Sequence, residues 1–179
     1  MKNPWKKLQS KIVHRNPWFS IRKDSVIKPD SRKGEYNVVM THGAVYIVPI
    51  TREGKICMIR LFRYPTNMFS LELPAGAKDS TNSLHNAKRE LLEETGYVAK
   101  TWKRIAHLQA FNGVCDEFST IYMAQDLTFK KQTGQAEEGI SGVYEFTLSE
   151  IDDMIRTGKI TDAQTISALY CVKLHIKNS

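Results

Sequence analysis

The chain has 179 residues, 41% hydrophobic and 25% charged, which is enough to bury the core of one globular domain of ordinary size. Its longest apolar run, residues 44–50, is too short to cross a membrane, and the lysine-rich N-terminus has no apolar segment of the kind found in secretory signals. The formal net charge of +7 suits a nucleic acid or a small polyanion such as a diphosphate. No RNA-binding signature or zinc-finger spacing accompanies it, so we expect neither a nucleic-acid nor a membrane partner.

The three cysteines, Cys57, Cys115 and Cys171, lie far apart in the sequence. Their odd number and the lack of a Cys-x-x-Cys pair argue against a zinc site or a redox site. Unpaired thiols persist in reducing compartments, so we expect a cytoplasmic protein.

The first part of the chain predicts a short antiparallel unit. Strand-like runs at residues 18–22 and 36–40 are separated by the turn-prone residues 28–34. Two strongly apolar segments follow at residues 44–50 and 56–62, and the short polar stretch between them predicts a β-hairpin. We therefore divide the chain into N-terminal strands, residues 1–42, and a main domain, residues 43–179.

The remaining residues alternate between helical and strand-like patterns. A helix is predicted over residues 83–95, where Gly96 ends it, and strands are predicted at residues 102–110, 118–124 and 142–146. Thr147 and Glu150 predict a capping box that begins a helix ending near Gly158. Apolar residues at helical spacing predict a last helix over residues 162–175. This order predicts an α/β fold in which helices cover a mixed sheet.

The most informative stretch places Arg89 directly before three glutamates, Glu90, Glu93 and Glu94. With about 3.6 residues per helical turn, these carboxylates lie within an arc of about 100° beside the buried face. Like charges at such spacings repel by roughly 0.2–0.5 kcal/mol per pair, and a bound cation would relieve this repulsion. Mg²⁺ prefers carboxylate oxygens, so the cluster suits a metal site, although a solvated acidic helix face is the commoner explanation of such a pattern taken alone.

Gly76 and residues 89–97 together resemble the signature of the Nudix hydrolase family. That signature is Gly, five residues, Glu, seven residues, and then Arg-Glu-hydrophobic-x-Glu-Glu-x-Gly-hydrophobic. Residues 89–97 match its second half, whereas the interval from Gly76 to Arg89 is one residue short and contains no Glu. The segments at residues 63–65, 70–76 and 158–163 are similar to the ADP-ribose pyrophosphatase branch of the family.

The resemblance implies a Nudix-type α/β/α sandwich and a Mg²⁺-dependent pyrophosphohydrolase, in which Mn²⁺ would be able to replace Mg²⁺. The substrate would be ADP-ribose or another nucleoside diphosphate sugar, and the products a nucleoside monophosphate and a sugar phosphate. The N-terminal strands would join two subunits in a homodimer. The implied metal ligands are Glu90, Glu93, Glu94 and the backbone carbonyl of Ala75, while the structural residues of the signature are Gly76, Arg89 and Gly96.

The general base stays open between Glu93 and two glutamates of a glycine-flanked loop, Glu137 and Glu138. Such a loop would be able to carry a base to the substrate when the site closes, although a plain polar surface loop has the same composition. The missing Glu of the signature also motivates an alternative function. In that case the chain would be a Nudix-fold sensor that binds a nucleotide and cleaves it weakly or not at all.

Three further residues are expected at the substrate. The guanidinium of Arg63 suits bidentate binding of a phosphate, although a surface arginine at a strand end would look the same in sequence. From the resemblance alone, Glu72 is expected to face the ligand or a partner subunit, and Glu117 to approach the substrate or the metal.

Overall fold

A computed structural model describes residues 2–79, 82–131 and 138–177. A single 3₁₀ turn, Tyr64–Thr66, also lies in these ranges. The strands and helices in these ranges are β1 (Lys6–Arg15), β2 (Ser20–Ile27), β3 (Lys33–Met40), β4 (Ala44–Pro49), β5 (Ile56–Arg63), β6 (Met68–Glu72), β7 (Ala75–Ala77), α1 (Ser83–Thr95), β8 (Tyr97–Gln109), β9 (Phe118–Phe129), β10 (Ile140–Phe146), α2 (Leu148–Arg156) and α3 (Ala163–Lys177).

The chain divides into two units. The first contains residues 1–43 and 109–118, and the second contains residues 44–108 and 119–179. The division into domains at residues 1–42 and 43–179 stays a prediction. Among the described residues, no helix combines the length and the apolar character that a membrane crossing needs.

The first unit contains the expected antiparallel sheet, in the order β1-β2-β3. The sequence did not predict β1, because every one of its residues is exposed and no buried face produces an alternating pattern. Asp24 of β2 is buried and accepts hydrogen bonds from Ser10 Oγ at 2.5 Å and Arg22 Nε at 3.0 Å. Burial raises the pKa of Asp24, but these hydrogen bonds outweigh it and hold the pKa below its usual value.

The hairpin predicted from residues 44–50 and 56–62 is wrong, because β4 and β5 belong to different sheets. β4 lies between β7, to which it is antiparallel, and β9, to which it is parallel. β5 lies between β10 and β6 in an antiparallel sheet. Both edges of each strand are therefore already paired, and an isolated bridge between Ile50 and Ile56 links the two segments.

The helices of the second unit pack on opposite faces of β4. Val45 and Ile47 of β4 pack with Ala87 and Leu91 of α1. The other face, including Val48, belongs to a core with members on α2 and α3. Complete burial of a side chain such as Leu91 contributes about 1.5–3 kcal/mol. This packing fixes α1 against the mixed sheet β7-β4-β9-β8, as the α/β prediction requires.

The end of α1 at Gly96 and the start of α2 at Thr147 agree with the prediction. Asn82 caps α1 by accepting a hydrogen bond from His85 N, and Gly96 ends it with φ of 76°, where glycine carries no steric penalty. Thr147 and Glu150 form the predicted capping box of α2. The predicted strands are present as β8, β9 and β10, all of them longer than expected.

Candidate active site

The turn between β6 and β7 is held from two sides. Ile47 N of β4 donates to Pro74 O at 2.9 Å, and Leu73 N donates to Thr165 Oγ1 at 3.1 Å. Thr165 lies on α3 and is completely buried. Because β7 pairs with β4 directly after this turn, its backbone has a defined position next to α1.

Two glutamates of α1 contact the backbone of β7. Ala75 N donates to Glu94 Oε2 at 2.8 Å. A Cβ atom at Gly76 would overlap the carboxyl group of Glu90, so glycine at this position lets the Glu90 carboxylate lie directly against the strand. The acidic edge of α1 is thereby positioned directly against the strand that precedes it.

Burial changes the acidity of both carboxyl groups. Glu90 is 4% exposed and Glu94 is 2% exposed. Burial is the main cause that raises the pKa of Glu90 to about 7 and the pKa of Glu94 to about 9, because a charged carboxylate loses its hydration. A nearby positive charge would return both groups to their anionic form.

Arg89 already offsets part of the effect of burial on the pKa of Glu90. Its Nη2 lies 2.5 Å from Glu90 Oε1, and its Nη1 lies 2.6 Å from Glu93 Oε2. The same Nη2 also lies 3.1 Å from Asp79 Oδ2. Arg89 therefore contacts two of the three glutamates that the resemblance assigns to the metal, together with an acid that the sequence analysis did not single out.

The donor set at this edge of α1 fits a hard divalent cation. Buried carboxylates are the oxygen ligands that Mg²⁺ prefers, and a cation would offset the charge that burial penalises. Within the described part of the chain, no three acidic, histidine or cysteine side chains are already grouped for a metal. Glu90 and Glu93 point to Arg89 instead, so both would turn from the guanidinium to bind an ion.

Glu138 is brought close to the same edge. The Glu138 carboxylate accepts a hydrogen bond from protonated Glu94, and this bond and the charge of Glu138 both raise the pKa of Glu94. The charge of Glu138 also raises the pKa of Glu90. The backbone beside it is tied to β5, because Phe62 N donates to Gly139 O at 3.2 Å. Glu137, the other candidate base on this loop, lies outside the described residues.

Arg63 and Glu72 form a bidentate ion pair. Arg63 Nε lies 3.0 Å from Glu72 Oε1, and Arg63 Nη2 lies 2.5 Å from Glu72 Oε2. Both line a cleft of about 350 Å³, which also contains Thr161 and Asp162. The hydrogen bond to Glu72 is the main cause that raises the pKa of Arg63, so the guanidinium keeps its charge in this cleft.

Glu117 belongs to the first unit. It is half-buried, and its backbone oxygen accepts a hydrogen bond from Ala110 N at 3.2 Å. Tyr36 Oη, which donates to Gly113 O at 2.9 Å, holds the same loop against β3. The approach of Glu117 to a substrate or a metal stays a prediction.

Asp79 is the residue of this site that the sequence analysis missed. It stands three residues after Gly76, in the interval where the signature expects a Glu six residues after that glycine. An acid inside a shortened interval was the available signal, but the pairing with Arg89 depends on the path of the loop, which spacing alone does not give.

Comparison with protein families finds two adjacent matches. Residues 5–39 match the model described as "Nucleoside diphosphate sugar hydrolase N-terminal domain", and residues 40–169 match the "NUDIX domain". A solved structure titled "Crystal structure of ADP compounds hydrolase" has the same fold, with a TM-score of 0.86 and 24% identity over 97% of this chain and 95% of that one. The predicted α/β architecture is confirmed.

Curated relatives cover most of the chain. An ADP-ribose pyrophosphatase from Bacillus subtilis is 29% identical over 94% of this chain and 95% of its own length. A Mycobacterium tuberculosis protein of the same name is 29% identical over 92% of this chain and 81% of its own length. A methanol dehydrogenase activator from Bacillus methanolicus is 31% identical over 84% of this chain and 83% of its own length.

The Nudix resemblance and the expectation of a pyrophosphohydrolase are confirmed by these findings together. The family match covers residues 40–169, which include every residue of the signature and all of α1. The chain belongs to the Nudix hydrolase family.

Proposed function

We propose that this enzyme hydrolyses the diphosphate bond of ADP-ribose or another nucleoside diphosphate sugar, to a nucleoside monophosphate and a sugar phosphate. The observation that carries the proposal is the succession of the two family matches, in which the N-terminal domain of nucleoside diphosphate sugar hydrolases directly precedes the Nudix domain. Relatives named ADP-ribose pyrophosphatase support ADP-ribose, and Yersinia relatives named GDP-mannose pyrophosphatase support the wider class.

The proposed metal is Mg²⁺, with Mn²⁺ as a replacement. Its ligands would be Glu90, Glu93, Glu94 and the carbonyl of Ala75. When bound, such an ion neutralises diphosphate charge and lowers the pKa of the attacking water. The chain keeps Glu94 aligned through Ala75 N, so this carboxylate is oriented before an ion binds, and Glu90 lies against the backbone of β7.

Glu138 is the proposed general base, with Glu93 and Glu137 as the other candidates. Its hydrogen bond with Glu94 supports a position next to the attacking water, whereas Glu93 forms an ion pair with Arg89. A base at this position would accept the proton of the water as it attacks phosphorus.

Replacing Glu138 with glutamine is expected to lower kcat by about 10²–10⁴-fold, because proton transfer is lost while the amide keeps the size of the side chain. The KM for substrate and the apparent Kd for Mg²⁺ should change little. Steady-state kinetics of Glu138→Gln, Glu137→Gln and Glu93→Gln at saturating Mg²⁺ make the comparison. A larger fall in kcat for Glu137→Gln would contradict the assignment to Glu138, as would a larger fall for Glu93→Gln that leaves the apparent Kd for Mg²⁺ unchanged.

Arg63 is proposed to bind a substrate phosphate while Glu72 holds its guanidinium in place. Glu117 is proposed to reach the same substrate. Charge-assisted bidentate pairs fix the plane of a guanidinium, and the cleft of about 350 Å³ gives a phosphate access to it.

Replacing Arg63 with lysine is expected to raise KM about tenfold with little change in kcat, because an ammonium group cannot form the planar pair with Glu72 and its hold on the phosphate weakens. The measurement is initial velocity against ADP-ribose concentration. Arg156→Lys is the matched control, since Arg156 forms an exposed ion pair with Asp153 on α2. An unchanged KM in Arg63→Lys would remove Arg63 from the substrate site.

A homodimer in the cytoplasm is also proposed. The N-terminal strands leave apolar side chains exposed on β1, including Leu8, Ile12 and Val13, and exposed apolar edge strands favour pairing with another chain. The cysteines are free thiols, which supports a reducing compartment. Light scattering of the purified protein would test the dimer, and a monomeric mass would refute it.

The function itself is tested with a panel of ADP-ribose, other nucleoside diphosphate sugars, dinucleotides and nucleoside triphosphates. Each is incubated with enzyme and Mg²⁺. Added phosphatase then releases phosphate from the monophosphate products of the sugars and dinucleotides, while products of the triphosphates are separated by anion-exchange chromatography without phosphatase. Mg²⁺-dependent cleavage of nucleoside diphosphate sugars supports the proposal. Preferential cleavage of triphosphates or dinucleotides would overturn it.

A nucleotide sensor with weak catalysis is the second candidate. The shortened interval without a Glu favours it, and one relative is named as an activator of another enzyme. In the same panel, tight binding of a nucleotide without turnover would support the sensor over the hydrolase.

A further inference from the structure

The shortened interval between Gly76 and Arg89 places an acid beside the arginine of the signature. Asp79 Oδ2 lies 3.1 Å from Arg89 Nη2. The other oxygen of this carboxylate accepts a hydrogen bond from the side-chain amide of Asn86, which is completely buried one turn earlier on α1. Asp79 is therefore anchored to the helix at two points, although its side chain is 61% exposed.

Arg89 and a bound metal ion would compete for the same carboxylates, and Asp79 offers Arg89 another partner. Its guanidinium contacts Glu90 and Glu93, the carboxylates proposed to bind the metal. A cation on those carboxylates draws them away from Arg89 and repels the guanidinium as well. Asp79 contacts Nη2 of the guanidinium, the nitrogen that also contacts Glu90, but it is not one of the proposed metal ligands.

We propose that Asp79 is a positioning residue for the metal, which keeps Arg89 paired when Glu90 and Glu93 turn to the ion. It supplies, from a shorter loop, a negative charge in the interval where this chain lacks the Glu of the signature. The inference rests on the proposed function, because it assumes the metal ligands named there. It assigns Asp79 no contact with substrate or metal.

The variant Asp79→Asn isolates the charge, because asparagine Oδ1 still accepts the hydrogen bond from Asn86. Without the negative charge of Asp79, Arg89 competes more strongly with the metal ion for Glu90 and Glu93. The apparent Kd for Mn²⁺ should therefore rise about tenfold, as it does when other residues that support metal ligands are replaced. Calorimetric titration with Mn²⁺ measures this directly. At saturating Mn²⁺, kcat and the KM for ADP-ribose should return to within about twofold of wild type, and Asp79→Glu should recover part of the affinity.

Asp152→Asn is the matched control, because Asp152 forms an ion pair of 2.6 Å with Lys173 at a similar side-chain exposure of 52%. It should leave the affinity for Mn²⁺ unchanged.

The melting temperature of metal-free Asp79→Asn should equal that of wild type. A lower melting temperature together with the loss of affinity would mark a purely structural role and overturn the inference. Equal affinity in Asp79→Asn and wild type would overturn it too, as would a wild type that binds no Mn²⁺. If the wild-type protein binds Mn²⁺ but cleaves no nucleotide, the proposed function is refuted and the inference about Asp79 still stands.

Discussion

Replacing Glu94 with glutamine is expected to lower turnover by at least about 10²-fold while the fold stays intact. The carboxylate is 2% exposed and accepts a hydrogen bond from Ala75 N, which the amide oxygen of glutamine would still accept. What disappears is the anionic charge, and a neutral amide is a poor ligand for Mg²⁺. A metal contributes several kcal/mol to the transition state, and each 1.4 kcal/mol lost is a tenfold fall in rate.

The measurement for Glu94→Gln is kcat at saturating Mg²⁺, together with the melting temperature of the metal-free protein. Burial penalises the charged form of Glu94, as its pKa of about 9 indicates, so the neutral variant should melt no lower than wild type. Glu53→Gln, in the exposed turn between β4 and β5, is the control that changes the same charge away from the site. Near-normal turnover in Glu94→Gln would refute the proposed metal site.

Replacing Gly76 with alanine is expected to have the second large effect, again mainly on catalysis. The added methyl group would meet the carboxyl carbon and Oε1 of Glu90 at 2.1 Å, far inside contact distance. The end of the Glu90 side chain is flexible enough to move, so the cost in stability should stay near the lower end of the 1–3 kcal/mol typical of overpacking. The displaced carboxylate, however, leaves its place beside Glu94, and turnover should fall by roughly 10²-fold.

Thermal unfolding and kcat of Gly76→Ala separate these two effects. Gly113→Ala is the stability control, because a Cβ atom there meets nothing within 4 Å. A loss of stability in Gly76→Ala without a larger loss of kcat would contradict the view that this glycine serves the orientation of Glu90.

Local signals were sufficient to predict α1. Asn82 and Gly96 set its ends through hydrogen bonds within a few residues, and the apolar spacing that includes Ala87 and Leu91 sets its buried face. The three glutamates that border this face were found for the same reason. Distances and charges within one helix are fixed by its geometry, whatever the rest of the chain does.

Local signals did not predict the contacts between residues that lie far apart in the sequence. The composition of residues 44–62 suggested a hairpin, yet strand pairing depends on which segments reach the free edges, and β4 and β5 each found two other strands. The contact of Glu138 with Glu94 requires β10 to run beside β5, and the pair of Asp79 with Arg89 requires a particular loop path. Both follow from tertiary structure and not from residue spacing.

The parallel pairing of β4 with β9 has a consequence for how the enzyme is made. Ala44 of β4 pairs with Ser119 of β9, about 75 residues further along the chain. The sheet on which α1 packs therefore forms only after β9 has been synthesised. On the ribosome, the residues of the Nudix signature emerge well before that partner. A nascent chain released before β9 would carry every signature residue that this chain has and still lack the sheet against which α1 packs, so the proposed metal site would form late in synthesis.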